Sequence, residues 1–287
     1  MKKLTIFTAL VMVLMVSVNV GAVDLYEDIL ETPQIENGVQ EGQGEYLLNI
    51  LDMDSEGETI DDGLEHYINF EYGLAENFEV YSNHIAIIEN YNSFDLNGKY
   101  NFYNDKGYSA AVVGNINYAS ETTTPGVKVL GAKEINDELT MHANAGLEFG
   151  ESDMGKEFTA GATYVIDSQK EFRAALNADF IEFDNMSYDL ELGLQIAMNE
   201  DVTYAGKLYK GLDEGQDNIS ITNAVEFNAM QDLVLTGQFG FNTSEYVNNN
   251  MKAGADYYFN EDYYVTGEFA HTFDYGSNVR MGLGFDM

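Results

Sequence analysis

Apolar and polar side chains alternate one by one along this chain, in segments of about ten residues. Within 186–196, Met186, Tyr188, Leu190, Leu192, Leu194 and Ile196 fall on one side. Ser187, Asp189, Glu191, Gly193 and Gln195 fall on the other. Within 139–149, Leu139, Met141, Ala143, Ala145, Leu147 and Phe149 oppose Thr140, His142, Asn144, Gly146 and Glu148. The segments 94–102, 172–180 and 251–259 keep the same beat. Successive side chains of a strand point to opposite faces, whereas a helix repeats every 3.6 residues or so. The chain is therefore expected to be all-β.

Polar breaks punctuate these segments at 74–77, 104–107, 135–138, 167–170, 198–201, 230–232 and 260–262. Their centres lie roughly 30 to 33 residues apart, and each break holds Asn or Asp, which tolerate turn geometry. Subtracting a turn of about four residues and a loop of about five leaves ten or eleven per strand. A strand tilted across a bilayer needs about 9 to 11. Eight hairpins fit between Glu45 and the end, predicting about sixteen strands. The count falls to fourteen if the weakest pair, 45–51 with 65–73, does not form.

The first residues have another character. Met1, Lys2 and Lys3 precede an apolar run over 4–16 and small residues up to Ala22, the pattern of a secretory signal peptide cut after Ala22. As a spanning helix this run is too short and lacks charge on its far side. Beyond it no stretch approaches the roughly 18 consecutive apolar residues a spanning helix needs. Lys2 and Lys3 leave with the leader, so 11 basic residues face 49 acidic ones (13 − 2 = 11; 11 − 49 = −38). Such a chain repels nucleic acid. It has no cysteine, so its stability outside the cell must come without disulfides. With two prolines, little interrupts a β-ladder.

A soluble sandwich also alternates, and three features favour a transmembrane, antiparallel, up-and-down β-barrel. Aromatics (Phe78, Phe102, Tyr108, Tyr164, Phe172, Phe227, Phe259 and Tyr263) end the apolar face near the short turns, as an interfacial girdle does. Tight turns alternate with longer loops such as 119–125 and 211–218. The uniform step suits a closed meander better than a Greek key.

The leader, the turn "YGLAENFEV" and the last strand "NVRMGLGFDM" resemble the outer-membrane β-barrels of Gram-negative bacteria, porins in particular. Val279, Met281, Leu283, Phe285 and Met287 share a face of that strand. Met287 departs from the aromatic with which such chains usually end. The resemblance spans 45–287 and implies an outer-membrane location, lipid as a partner and, as in many porins, a homotrimer. It sets the 74–77 turn on the periplasmic side, with Ile68, Phe70, Tyr72, Phe78 and Val80 toward lipid and Asn69, Glu71 and Glu79 toward the lumen. Two strands fit poorly. Ser82 and His84 would meet lipid within 78–88, which predicts a bulge, and Asn223 raises the same difficulty within 219–228.

Catalysis finds little support. His66, His84, His142 and His271 lie in separate strands, none spaced to share a metal, with His142 expected to point inward near the periplasmic end. Outer-membrane phospholipases carry His-x-Ser-Asn-Gly; the nearest stretch, "HANAG" at His142, lacks the serine nucleophile. The acidic pairs Asp61-Asp62 and Glu261-Asp262 lack the framework of a calcium loop, and no glycine-rich phosphate loop is present. No enzyme activity, cofactor or metal is expected. Gly98, Gly114 and Gly193 suit strand kinks and close packing. Residues 23–44, acidic and ending Gly-rich, read as a flexible periplasmic leader, or as a plug through an amphipathic segment at 23–30.

A barrel of about sixteen strands encloses water. The function expected is a passive channel for small hydrophilic solutes. An adhesin or structural barrel is the alternative, which large exposed loops would favour; the longest loop expected is 52–63. Strand parity gives the lumen Glu71, Glu79, Asp95, Glu148, Asp179, Asp189, Glu191, Glu226, Asp256, Glu268 and Asp286. Against these stand Lys99, Lys128, Arg173, Lys207, Lys252 and Arg280. Wall carboxylates concentrate cations, so a mild cation selectivity is expected.

Overall fold

The structure is a computed structural model that describes residues 29–34, 42–54, 65–88, 91–119, 122–150, 154–182, 185–212, 219–243, 249–260 and 262–286. The leader 1–22, most of the 52–63 and 211–218 loops, and Met287 lie outside the described residues.

Sixteen strands run in chain order: β1 (Gly42–Asp54), β2 (Glu65–Ala75), β3 (Phe78–Ile88), β4 (Tyr91–Asp105), β5 (Tyr108–Ala119), β6 (Thr122–Asn136), β7 (Leu139–Phe149), β8 (Met154–Asp167), β9 (Lys170–Glu182), β10 (Asn185–Ala197), β11 (Val202–Gly211), β12 (Ile219–Met230), β13 (Leu233–Asn242), β14 (Asn250–Tyr258), β15 (Tyr263–Thr272) and β16 (Gly276–Asp286). Each pairs antiparallel with its chain neighbours, and β1 closes the barrel on β16 from Gln43 opposite Asp286 to Asp54 opposite Gly276. The weak first pair forms, so the count is sixteen. β1 begins at Gly42, three residues before the expected Glu45, because its first residues find ladder partners at Tyr72 and Glu71.

All seven polar breaks are hairpin turns at one end of the barrel. Five are tighter than the sequence suggested, as where Leu74 and Ala75 remain in β2 and Asn104 and Asp105 remain in β4, while 198–201 keeps its expected length and β14 ends one residue before the expected 260–262 break. In several the side chain of Asn or Asp closes the turn by accepting a backbone N–H two residues on: Asn136 from Glu138, Asp167 from Gln169, Asn199 from Asp201 and Asn260 from Asp262. The β4–β5 turn works differently. Lys106 (φ 55°) and Gly107 (φ 74°) both take left-handed backbone, the pairing of a two-residue turn whose twist matches the strands.

At the opposite end the 119–125 loop is a correction. β6 starts at Thr122, and Pro125 pairs with Ile116 inside the ladder. Pro125 is exposed on the outer face.

The predicted bulge in β3 is present. Between Tyr81 and Ile85, β3 advances one residue more than either β2 or β4. The Asp95 carboxylate holds the bulge by accepting from the backbone N–H groups of Asn83 and His84 and from the Ser82 hydroxyl. The extra residue turns His84 inward, where its Nε2 meets the hydroxyl of Ser93 at 2.8 Å. Asn223 has another solution. The β11–β12 register runs unbroken, so Asn223 stays on the outer face. There the Tyr204 hydroxyl donates to its Oδ1 at 2.6 Å, lying over Gly206, where a side chain would collide with it.

The outer face is apolar and uncovered. Val127, Val129, Met141, Leu147, Met281 and Leu283 are exposed there. Phe102, Tyr108, Tyr164, Phe227, Phe259 and Tyr263 are exposed near the tight turns. His66 and His271 also lie outward. Tyr46 bonds the His66 Nδ1, and Ser277 meets the His271 Nδ1 at 2.8 Å.

Candidate functional site

The inner face is built by the other parity of every strand. It carries Glu71 on β2, Glu79 on β3, Asp95 and Lys99 on β4, Lys128 on β6, Glu148 on β7, Arg173 and Asp179 on β9, and Asp189 and Glu191 on β10. Lys207 on β11, Glu226 on β12, Lys252 and Asp256 on β14, Glu268 on β15 and Arg280 on β16 complete the ring. Asp286 is the last residue of β16, with its side chain outside the described atoms.

Every one of the six inner bases meets a carboxylate. Lys99 pairs with Glu79 where neither side chain is more than 4 % exposed. Lys128 sits 2.8 Å from Glu157 and 3.0 Å from Glu31. Arg173 donates to Glu171 at 3.0 Å. Lys207 lies 2.7 Å from Glu191. Glu268 accepts from both sides, with Lys252 at 3.6 Å and Arg280 at 3.4 Å. The Arg280 guanidinium also covers the Tyr67 ring, 4.4 Å from its centroid.

Neutral groups meet inner carboxylates as well, Glu191 among them. The Asn177 amide donates to Asp189 at 2.8 Å and to Glu191 at 3.1 Å, so one side chain braces two carboxylates. The Asn117 amide donates to Glu148 at 3.2 Å. Asp95 is held by the β3 bulge and by the Asn97 amide at 2.7 Å. His142 points inward near the tight turns, and its Nε2 meets the Thr163 hydroxyl at 3.1 Å. Among the described residues no group of three or more His, Asp or Glu is arranged to hold a metal.

Glu157 and Glu171 were not among the expected lumen residues, yet Glu157 pairs with Asp179 across β8 and β9, and Glu171 shares its face of β9 with Arg173. Nor was an apolar stretch of the inner wall. Ala111, Val113 and Leu130 are buried together with Tyr81 against them. Residues 29–34, for which a leader and a plug were both open, lie within the barrel. Leu30 is 2 % exposed against Ala175 of β9, Ala205 of β11 and Ala224 of β12. Glu31 accepts from the Tyr81 hydroxyl at 2.8 Å. Residues 23–28 and 35–41 fall outside the described residues.

No protein-family model matches the chain, and neither does any curated protein. Solved structures match it in fold. A variant of the Rh. blastica porin superposes with a TM-score of 0.53 at 13% identity, covering 86% of this chain and 99% of that one. A bacterial polysaccharide outer membrane secretin gives 0.55 at 9% identity, covering 88% and 99%. The chain is a closed sixteen-stranded antiparallel barrel with a porin-like fold.

Proposed function

We propose that this protein is a passive channel of a bacterial outer membrane, admitting small hydrophilic solutes with a mild preference for cations. The observation that carries the reading is the division of one closed sheet into a bare apolar outer face and a charged inner one. An apolar outer face of this extent costs free energy in water and is stabilised in hydrocarbon. A wall of paired ions and amides needs water to solvate its remaining lone pairs. Sixteen strands are wide enough to admit it.

The tight turns would face the periplasm and the longer connections the exterior, as in barrels of this kind. The leader 1–22 would direct export, and subunits would associate through the outer face, with a trimer as the expected form. Cation preference follows from the inner wall, where each base has an acidic partner while Asp95, Glu148 and Asp189 are met by amides and hydroxyls. Their net field favours cations.

Liposome swelling tests the reading. Vesicles carrying the heat-modifiable protein should swell in isotonic solutions of small sugars and slow as the sugar grows. Vesicles that hold a folded barrel and exclude even the smallest sugar would contradict it.

A further inference from the structure

We infer that residues 29–34 form a strap across the lumen that sets the width of the pore, an inference that rests on the channel reading above. One end is apolar. Ile29 and Leu30, 3 % and 2 % exposed, bury against Ala175, Ala205 and Ala224, small residues that hollow the wall where β9, β11 and β12 pass. Gly161 of β8 belongs to the same hollow, since a Cβ there would stand 2.6 Å from a Leu30 methyl.

The other end is tied by polar groups on distant strands. The Glu31 carboxylate accepts from Tyr81 on β3 at 2.8 Å and from Lys128 on β6 at 3.0 Å. Three successive carbonyls are then taken by side chains. Glu31 accepts from the Asn144 amide on β7 at 3.0 Å, Thr32 from the Lys99 ammonium at 3.5 Å and Pro33 from the Asn101 amide on β4 at 2.7 Å. The Gln34 amide donates to the Ser109 hydroxyl on β5 at 3.1 Å. A tail hanging from the mouth would neither bury Leu30 nor bring three carbonyls in a row to donors on the wall.

The dimensions agree with a crossing. Sixteen strands about 4.8 Å apart and tilted about 40° enclose roughly 30 Å between backbones, or roughly 20 Å between side chains. Fully extended, six residues would reach about 20 Å; the turn and bends at 29, 30, 33 and 34 shorten this, and the wall groups that meet the segment run from Tyr81 on β3 to Ala224 on β12. With side chains such a segment is about 10 Å wide, enough to cover roughly half of that aperture. The conducting path is then bounded by the strap as well as by the barrel wall, with the Glu31 carboxylate in between.

The test compares the full chain with one whose residues 29–34 are replaced by six Gly and Ser residues. Both are checked for the heat-shifted band and recorded in planar bilayers. The replacement should raise single-channel conductance about twofold, as the covered half of the aperture opens. A native channel that is silent while the replacement conducts supports the strap as well. Equal, non-zero conductances overturn the strap and leave the channel reading standing. Silence in both overturns the channel reading and the strap with it. A second variant keeps the ties described, since Thr32 is held through its carbonyl. Thr32→Cys creates the sole thiol in a chain without cysteine, and a bulky methanethiosulfonate reagent should cut its current by about half. Complete modification, verified by mass, with unchanged current overturns the inference.

Discussion

Glu79 and Lys99 meet on the inner wall with almost no solvent around them, at 0% and 4% side-chain exposure. Removing one member of a buried pair strands the other, at a cost of about 3 to 5 kcal/mol. Lys99→Met should therefore lower markedly the temperature at which the SDS-resistant band converts to the unfolded one, and an unchanged temperature would mean that water reaches the pair. The more open pairs govern ions instead. Asp189→Asn should weaken potassium preference, and Lys207→Gln should strengthen it by releasing Glu191. Each shift should be about twofold or less in permeability ratio, because charges in a wet lumen are screened over about 8 Å. Permeability ratios from asymmetric salt measure both. The side of the wall for each of these residues was legible, because period two admits two faces and the apolar one is unmistakable. Their partners were not, since Lys207 meets Glu191 through a register between strands that no single strand reveals. Glu31 offered no signal at all, lying in a segment without alternation.

The β3 bulge shows how one residue decides a strand. Ser82 and His84 clash with the alternation, and that clash alone marks where the bulge must lie. The same reasoning flags Asn223, yet that strand keeps its register because a neighbouring tyrosine satisfies the amide. A polar residue on an apolar face thus has two remedies, an added residue or a cross-strand partner, and only the pairing distinguishes them. Asp95→Ala takes away the acceptor of Ser82, Asn83 and His84, and with the bulge lost the rest of β3 should slip by one residue. Ile85 and Ile87 would then face water and His84 would face outward. The heat-shifted band should be lost or strongly reduced on refolding into detergent; normal assembly would show that Asp95 is not holding a required bulge. Turn positions were legible for a related reason, since Asn and Asp close these turns with their own side chains. The length of the opposite connection at 119–125 was not, because Pro125 reads as a loop residue and yet sits within an exposed stretch of β6.

Across the whole molecule, a uniform hairpin step and a period of two were enough to anticipate sixteen strands, while closure rests on the ladder between β1 and β16, residues more than two hundred positions apart in sequence. The function proposed for the barrel depends on its two faces being divided between lipid and water. The most direct test is a planar-bilayer recording of the purified, heat-modifiable protein under a potassium chloride gradient. It should insert in discrete conductance steps whose reversal potential lies toward that of potassium and relaxes toward zero as salt is raised. A folded barrel that stays silent would contradict the channel, and a reversal potential on the chloride side would contradict its acidic wall.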